Sequence, residues 1–106
     1  MIKDVIFFEK EGELIARIGC DIDHHSARSM REKIDDKLFE LKPHTLTIDF
    51  SAVGFMDSSG LGLILGRVEK ASALHIEVRL TGLSPTLMKL VRLGGLERVK
   101  NLTVTR

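Results

Sequence analysis

The chain has 106 residues, 43% of them hydrophobic and 29% charged, and its formal net charge is +1. That length suits one core, so we expect a single domain over residues 1–106. Because charges of both signs are spread along the chain and no segment is apolar for long enough to span a bilayer, the composition argues against nucleic-acid and membrane partners.

Two short strands and a long helix are predicted in the first part of the chain. An apolar run at 5–8 and an alternating segment at 13–18 are separated by a glycine-containing turn, which favours a β-hairpin. Asp23 then occupies the position of a helix N-cap, and apolar residues recur after it at helical spacing. Pro43 is expected to end this helix.

A third strand and a second helix follow. Residues 45–50 alternate between polar and apolar, as in a half-buried strand. From 61 to 68 the apolar residues recur at helical spacing. The charged residues Arg67, Glu69 and Lys70 are expected on the opposite face of this helix.

The turn between that strand and that helix contains Asp57 and Ser58, which fall where the helix needs its N-cap. Capping is one hypothesis, because the side-chain oxygens of Asp and Ser accept hydrogen bonds from the unpaired backbone N–H groups of a first turn. A hydroxyl at this position also lies in the field of the helix start, where an anion such as phosphate is favoured. The local sequence leaves both hypotheses open.

A fourth strand, a third helix and a last strand complete the chain. Residues 75–80 alternate as a strand, and Ser84 before Pro85 predicts a helix that the pair Gly94-Gly95 ends. Residues 99–104 then predict the final strand. The order β-β-α-β-α-β-α-β implies an α/β fold with a mixed sheet, right-handed crossovers and helices packed on the sheet.

Two polar loops are expected at one edge of this sheet. The loops at 21–25 and 57–60 follow the second and third strands, and the carboxyl ends of parallel strands lie on the same edge. Function in such folds tends to lie at that edge, so the two loops are predicted to form one surface.

Several kinds of chemistry are considered and not favoured. The glycines at 60, 62 and 66 do not match a dinucleotide fingerprint, the lysine of a phosphate loop is absent, and neither Ser58 nor Ser59 fits a hydrolase elbow. Those glycines are instead expected to let the helix approach the sheet closely. The metal-ligand types at 20–25 have no second ligand pair elsewhere, so neither a metal nor a cofactor is expected.

The cellular compartment is predicted from the single cysteine and the first residues. Cys20 cannot form an internal disulfide, and a lone thiol fits a reducing compartment. The N-terminus lacks the charged and then apolar layout of a signal peptide. We therefore expect a cytoplasmic protein.

The stretch Phe55-Met56-Asp57-Ser58-Ser59-Gly60-Leu61-Gly62, continuing to Gly66-Arg67, resembles the motif of STAS-domain anti-sigma-factor antagonists. It is most similar to the sporulation antagonist of the anti-sigma-F factor. The segments Ile22-Asp23-His24-His25 and Ser84-Pro85 also fall where that family carries similar residues. The resemblance covers nearly the whole chain.

This resemblance implies a protein switch and not an enzyme. In the family, the serine after the motif's aspartate, here Ser58, is phosphorylated by the anti-sigma factor, which is an ATP-dependent serine kinase, and a PP2C-type phosphatase removes the phosphate. The unphosphorylated antagonist binds the anti-sigma factor and frees the sigma factor. The phosphorylated antagonist does not bind.

The resemblance and the turn chemistry together predict a partner-binding surface around Ser58. Asp23 is a candidate for an ion pair with a basic residue of the kinase, and Leu61 or Met56 for apolar contact. The predicted contact residues are Asp23, His24, Met56, Asp57, Ser59, Gly60 and Leu61.

The chain departs from the family pattern at two points. Cys20 stands where the family usually has a glycine before the acidic-apolar-Asp triplet, and Gly19 lies one place earlier, so a different turn is expected. Relatives often add a C-terminal helix after the last strand, and without it an uncovered sheet face or edge is expected to cost stability or favour dimerisation.

Two alternative functions remain at this stage. The chain could be a constitutive STAS scaffold module of a stress-signalling or lipid-transport complex, with Ser58 acting only as a cap. It could also bind or hydrolyse nucleotides on its own, although the missing phosphate-loop lysine argues against this.

Overall fold

The computed structural model describes residues 3–105, and the predicted order of strands and helices is confirmed. The elements are β1 Val5–Lys10, β2 Glu13–Ile18, α1 His24–Leu41, β3 Thr45–Asp49, α2 Ser58–Ala73, β4 Glu77–Thr81, α3 Pro85–Leu93 and β5 Leu102–Val104. A short 3₁₀ helix, Leu96–Arg98, precedes β5. No helix within residues 3–105 combines the length and apolar character that a membrane span needs.

The five strands form one mixed sheet in the order β1-β2-β3-β4-β5. The hairpin β1–β2 is antiparallel, and every later pair is parallel. Each crossover moves one strand further in the same direction, so right-handed crossovers place all three helices on one face of the sheet. The starts of the helices therefore lie together at the carboxyl edge of the parallel strands.

The core lies between that face of the sheet and the helices. The strand residues that point inward are buried, and they are Val5, Leu14, Ala16, Ile18, Leu46, Ile48, Val78, Leu80 and Leu102. Burying each large apolar side chain contributes roughly 1.5–3 kcal/mol. On the opposite face, which no helix of residues 3–105 covers, Ile6 and Phe8 of β1 are 40% and 48% exposed.

The last two strands are shorter than the alternating pattern predicts. His75 adopts a left-handed conformation with φ of 60°, so β4 begins at Glu77 and not at 75. Asn101 has φ of 70°, and its side-chain amide donates to the carbonyl of Ile76. β5 therefore starts only at Leu102, because the chain turns at Asn101 before it can pair.

The prediction of which residues lie on the outer face of α2 is wrong for one residue. Arg67 is only 2% exposed and lies on the buried stripe of the helix, between α1 and α2. Its Nε lies 2.6 Å from Oδ1 of Asp35 in α1, although the pair lacks the alignment of a hydrogen bond. A charged residue occupies this stripe because a carboxylate from the neighbouring helix meets it there.

The expected close packing of the α2 glycines holds at only one of the three. A Cβ on Gly60 would lie 2.6 Å from the sulfur of Met56, so this position has no room for a side chain. A Cβ on Gly62 or Gly66 would meet no atom of the described residues within 4 Å. Those two glycines leave open space beside the helix and do not bring it closer to the sheet.

Candidate functional site

The loops after β2 and β3 are joined, as the sequence predicts. Ile22 and Met56 form an isolated parallel bridge beyond the ends of the two strands. The N–H of Ile22 donates to the carbonyl of Phe55 at 3.0 Å, and the N–H of Asp57 donates to the carbonyl of Ile22 at 3.1 Å. These bonds hold the starts of α1 and α2 side by side.

The side chain of Asp21 also links the same two loops. One oxygen of its carboxylate accepts hydrogen bonds from the N–H of Gly54 at 3.0 Å and of Phe55 at 3.1 Å. Hydrogen bonds to an ionised acceptor are stronger than those between neutral groups. This role of Asp21 is not predictable from the local sequence, because its partners lie more than 30 residues later in the chain.

The start of α1 is closed by a reciprocal cap, as predicted for Asp23. The Asp23 carboxylate accepts from the N–H of Ser26 at 2.8 Å, and the Ser26 hydroxyl accepts from the N–H of Asp23 at 3.0 Å. The backbone hydrogen bond from Ser26 is the main reason why the pKa of Asp23 lies below its ordinary value. Asp23 and His24 are both exposed beside this cap.

At the start of α2, Asp57 and Ser58 have different roles. Asp57 is the N-cap, and its carboxylate accepts from the N–H of Ser59 at 2.8 Å. Ser58 is the first helical residue, its side chain is exposed, and its hydroxyl makes no hydrogen bond to any residue within 3–105. Ser58 therefore does not cap the helix, and its hydroxyl is open to solvent at a helix start.

Two of the predicted contact residues are buried. Met56 is 4% exposed, and its side chain packs on Gly60, which is buried as well. Met56 is therefore too buried to supply the apolar contact to a partner that was expected of it. Met56 and Gly60 instead pack on the interior side of the turn and hold it in position. Leu61 is half-buried, and it packs towards the end of α3 beside Gly94.

Phe55 is an exposed residue of this turn that the prediction passed over. Its side chain is 56% exposed, three positions before Ser58. An apolar residue next to a strand is ordinarily assigned to the core. The loop bonds at Phe55 use only its backbone and leave the ring at the surface.

The departure at Cys20 causes no strain in the described chain. Cys20 does not have the positive φ that would require glycine. Gly19 is the position that needs it, since a Cβ there would lie within 2.1 Å of the Lys3 carbonyl oxygen. Burial and the nearby carboxylates of Asp4 and Asp21 raise the pKa of the Cys20 thiol.

Within residues 3–105, no three His, Cys, Asp or Glu side chains are placed to share a metal ion.

Comparison with known proteins gives consistent matches over most of the chain. A STAS domain model matches residues 6–105. The chain is 34% identical over 83 residues to the anti-sigma F factor antagonist of Lysinibacillus sphaericus, an alignment that covers 78% of this chain and 71% of that relative.

Two solved structures of an antagonist named SpoIIAA are similar to this fold. The unphosphorylated form superposes with a TM-score of 0.73 at 27% identity, covering 96% of this chain and 87% of the other. The phosphorylated form, from Bacillus, has a TM-score of 0.72 at 28% identity, covering 96% and 91%. The same fold has thus been solved with and without phosphate.

Proposed function

The chain belongs to the STAS-domain family of anti-sigma factor antagonists, and from this membership we propose that it is a switch controlled by phosphorylation of Ser58. In the unphosphorylated state it binds an anti-sigma serine kinase in the cytoplasm and so releases a sigma factor, as in sporulation. Phosphorylation by that kinase ends the binding, and a PP2C-type phosphatase restores it. The whole chain acts as one STAS domain, without a cofactor and without catalysis of its own.

The observation that carries this proposal is the state of the Ser58 hydroxyl. It is exposed and free of hydrogen bonds to residues 3–105, while Asp57 beside it performs the capping. A kinase can therefore reach the oxygen without opening the fold. A similar protein has been solved in a phosphorylated and an unphosphorylated form, which supports control by phosphorylation but does not itself name the residue.

Phosphorylation at this position changes the surface and spares the fold. The Ser58 oxygen attacks the γ-phosphorus of kinase-bound ATP, loses its proton, and ADP leaves. The phosphoserine then carries about −1.5 to −2 charges. The field of the α2 start favours an anion there, so the free protein tolerates it. A partner packed over the turn meets new bulk and charge, and juxtaposed like charges cost several kcal/mol.

The proposed contact surface consists of the exposed and half-buried residues around that hydroxyl. Asp23 and His24 lie on the α1 side, and Asp57 and Ser59 lie beside Ser58. Leu61 offers its half-buried side chain, and the exposed ring of Phe55 adds apolar area to the predicted set. Met56 and Gly60 support this surface from inside.

The modified atom is tested by incubating the chain with the anti-sigma serine kinase of the same organism and ATP, followed by mass mapping. We expect one phosphate, on Ser58, and none on the Ser58→Ala variant. Ser72→Ala, at an exposed serine near the other end of α2, is the matched control and should be phosphorylated like the wild type. A phosphate on Ser59 alone, or none on any chain, would contradict the proposal.

The effect on binding is tested with Ser58→Asp in the same system. We expect its affinity for the kinase to fall at least about tenfold, since a fixed negative charge enters the contact. Its free energy of unfolding should stay within about 0.5 kcal/mol of the wild type, because the residue is exposed and not the cap. Unchanged affinity would favour a constitutive scaffold module. If the free energy of unfolding of the free Ser58→Asp protein fell by as much as its binding free energy, Ser58 would have a structural role instead.

A further inference from the structure

The groove between the first turns of α1 and α2 is lined by cationic side chains that the switch at Ser58 does not itself require. Its volume is about 430 Å³, and its lining residues are His24, Ala27, Arg28, Arg31, Ser59, Gly62 and Leu63. We propose that this α1–α2 groove receives an acidic segment of the anti-sigma kinase. The inference rests on the function proposed above and names the chemistry of the partner's docking segment.

The charge of the groove is the first argument. None of its lining residues is a carboxylate. Among residues 3–105, Arg28 forms an ion pair only with Glu32, with 3.9 Å between Nε and Oε1 and both side chains well exposed, and such pairs hold their partners weakly. Arg31 forms no ion pair with any residue in 3–105. Both guanidinium groups are therefore held only weakly and can turn to a partner's carboxylates, which they bind in a two-pronged geometry.

The two helix starts add to this field. α1 begins at His24 and α2 at Ser58, and the Ile22–Met56 bridge holds these ends next to each other. Their capping carboxylates, Asp23 and Asp57, are engaged by backbone N–H groups of their own helices. Each carboxylate satisfies only one of the first-turn N–H groups, so the two helix starts still favour a further anion beside Arg28 and Arg31.

The floor of the groove suits a close approach by a partner backbone. Gly62 is exposed, and a Cβ at this position would meet no atom of residues 3–105 within 4 Å. A glycine inside a helix costs roughly 1 kcal/mol relative to alanine, and no neighbour in the described part of the chain requires a glycine at position 62. A docked segment that lies against the helix would use that space.

The proposed docking also explains why phosphorylation of Ser58 would weaken binding of the kinase. Ser58 precedes the lining residue Ser59, and Gly62 lies one helical turn further on. A phosphate on Ser58 would place up to about two negative charges beside the groove. It would compete for the same arginines and repel the acidic segment, so modification would weaken binding without a change of fold.

The test compares Arg28→Glu/Arg31→Glu with Arg79→Glu/Arg98→Glu, an equal change of charge at exposed positions outside the groove. Affinity for the anti-sigma kinase is measured by calorimetry at about 0.05 M and about 0.3 M salt, with melting curves as a check on folding. We expect the groove variant to bind at least about tenfold more weakly and to lose most of its salt dependence. The control should bind like the wild type.

A steric test uses Gly62→Leu against Gly66→Leu, two helical positions with equal open space of which only the first lines the groove. We expect Gly62→Leu alone to weaken binding. If both groove variants bind like the wild type, the acidic docking is wrong while the switch stands. If the wild type itself neither binds the kinase nor is phosphorylated on Ser58, the proposed function fails and the docking fails with it.

Discussion

Asp57 and Ser58 are adjacent residues of equal capping propensity, and the fold gives them different tasks. The sequence could not separate them, because either oxygen can accept from a first-turn N–H. The register is set by the bond from the Asp57 N–H to the Ile22 carbonyl, which fixes Asp57 in the loop and starts the helix at Ser58. A contact across 35 positions of sequence thus decides that Asp57 caps the helix and that the Ser58 hydroxyl stays free of this task.

Single substitutions at these two positions should separate cap from switch in the free protein. Asp57→Ala removes the acceptor for the Ser59 N–H, so we expect it to lower the free energy of unfolding by about 1 kcal/mol. Ser58→Ala removes a hydroxyl that has no hydrogen-bond partner in residues 3–105, and it should change the free energy of unfolding by less than about 0.5 kcal/mol. Urea unfolding of both variants provides the measurement, and equal losses would contradict the assignment of the cap.

Among the secondary-structure elements, α1 and α2 are joined by a charged pair in their interface. Arg67 is almost fully buried, and the Asp35 side chain is 16% exposed. Burial raises the pKa of the Asp35 carboxyl despite the neighbouring Arg67 and Lys70, and burial likewise lowers the pKa of Arg67. Desolvation therefore outweighs attraction for both partners, which is common for buried ion pairs.

Removing one partner of this pair should be far worse than replacing both. Asp35→Leu leaves Arg67 without its counter-charge, and we expect a loss of about 3 kcal/mol in the free energy of unfolding. Asp35→Leu/Arg67→Met should stay within about 1 kcal/mol of the wild type. The exposed pair offers a control, since Glu32→Leu/Arg28→Met should change little. Double-mutant analysis from urea unfolding measures these differences, and additive losses at positions 35 and 67 would contradict the coupling.

The elements also show where local sequence patterns stop being informative. Helical spacing predicted α2 correctly, but Arg67 was assigned to its outer face because Asp35, which allows its burial, lies in another helix. Alternation predicted β5 from position 99, but the left-handed Asn101 delays the strand to Leu102. In both cases a tertiary contact overrides a local preference.

The order and topology of the elements follow from rules that need no tertiary detail. Alternating strands and helices imply parallel strands, whose following helices all start at the carboxyl edge of the sheet, and the common handedness of the crossovers places the helices on one face. That was enough to predict that the loops carrying Asp23 and Ser58 meet. The α1–α2 groove was not predictable, because its shape depends on how Arg31 and Gly62, on different helices, come to line the same space.

The response of the whole molecule to acid depends on carboxylates that shift in opposite directions. Burial opposes ionisation of Asp4, but hydrogen bonds from Lys33 and Ser29 outweigh it, so the pKa of Asp4 lies below the ordinary value of 3.8. The folded state then binds fewer protons there than the unfolded state. This stabilisation is complete above pH 3.8 and is lost as the pH falls through the folded pKa. Asp35, with its raised pKa, acts in the other direction, because its folded form gains a proton first.

Asp4→Asn should therefore reduce how much the free energy of unfolding falls as the pH is lowered. The variant loses the contact between Asp4 and Lys33, whose Oδ1 and Nζ are 2.6 Å apart, and we expect it to be less stable than the wild type by up to about 1 kcal/mol at pH 7. That difference should vanish below the folded pKa of Asp4, where the wild-type carboxyl is also neutral. Glu69→Gln, which removes an exposed carboxylate with no ion pair in residues 3–105, corrects for the change in net charge. Urea unfolding at a series of pH values between about 7 and 2 measures both variants, and a difference that persists unchanged to the lowest pH would show that Asp4 contributes by packing and not by its charge.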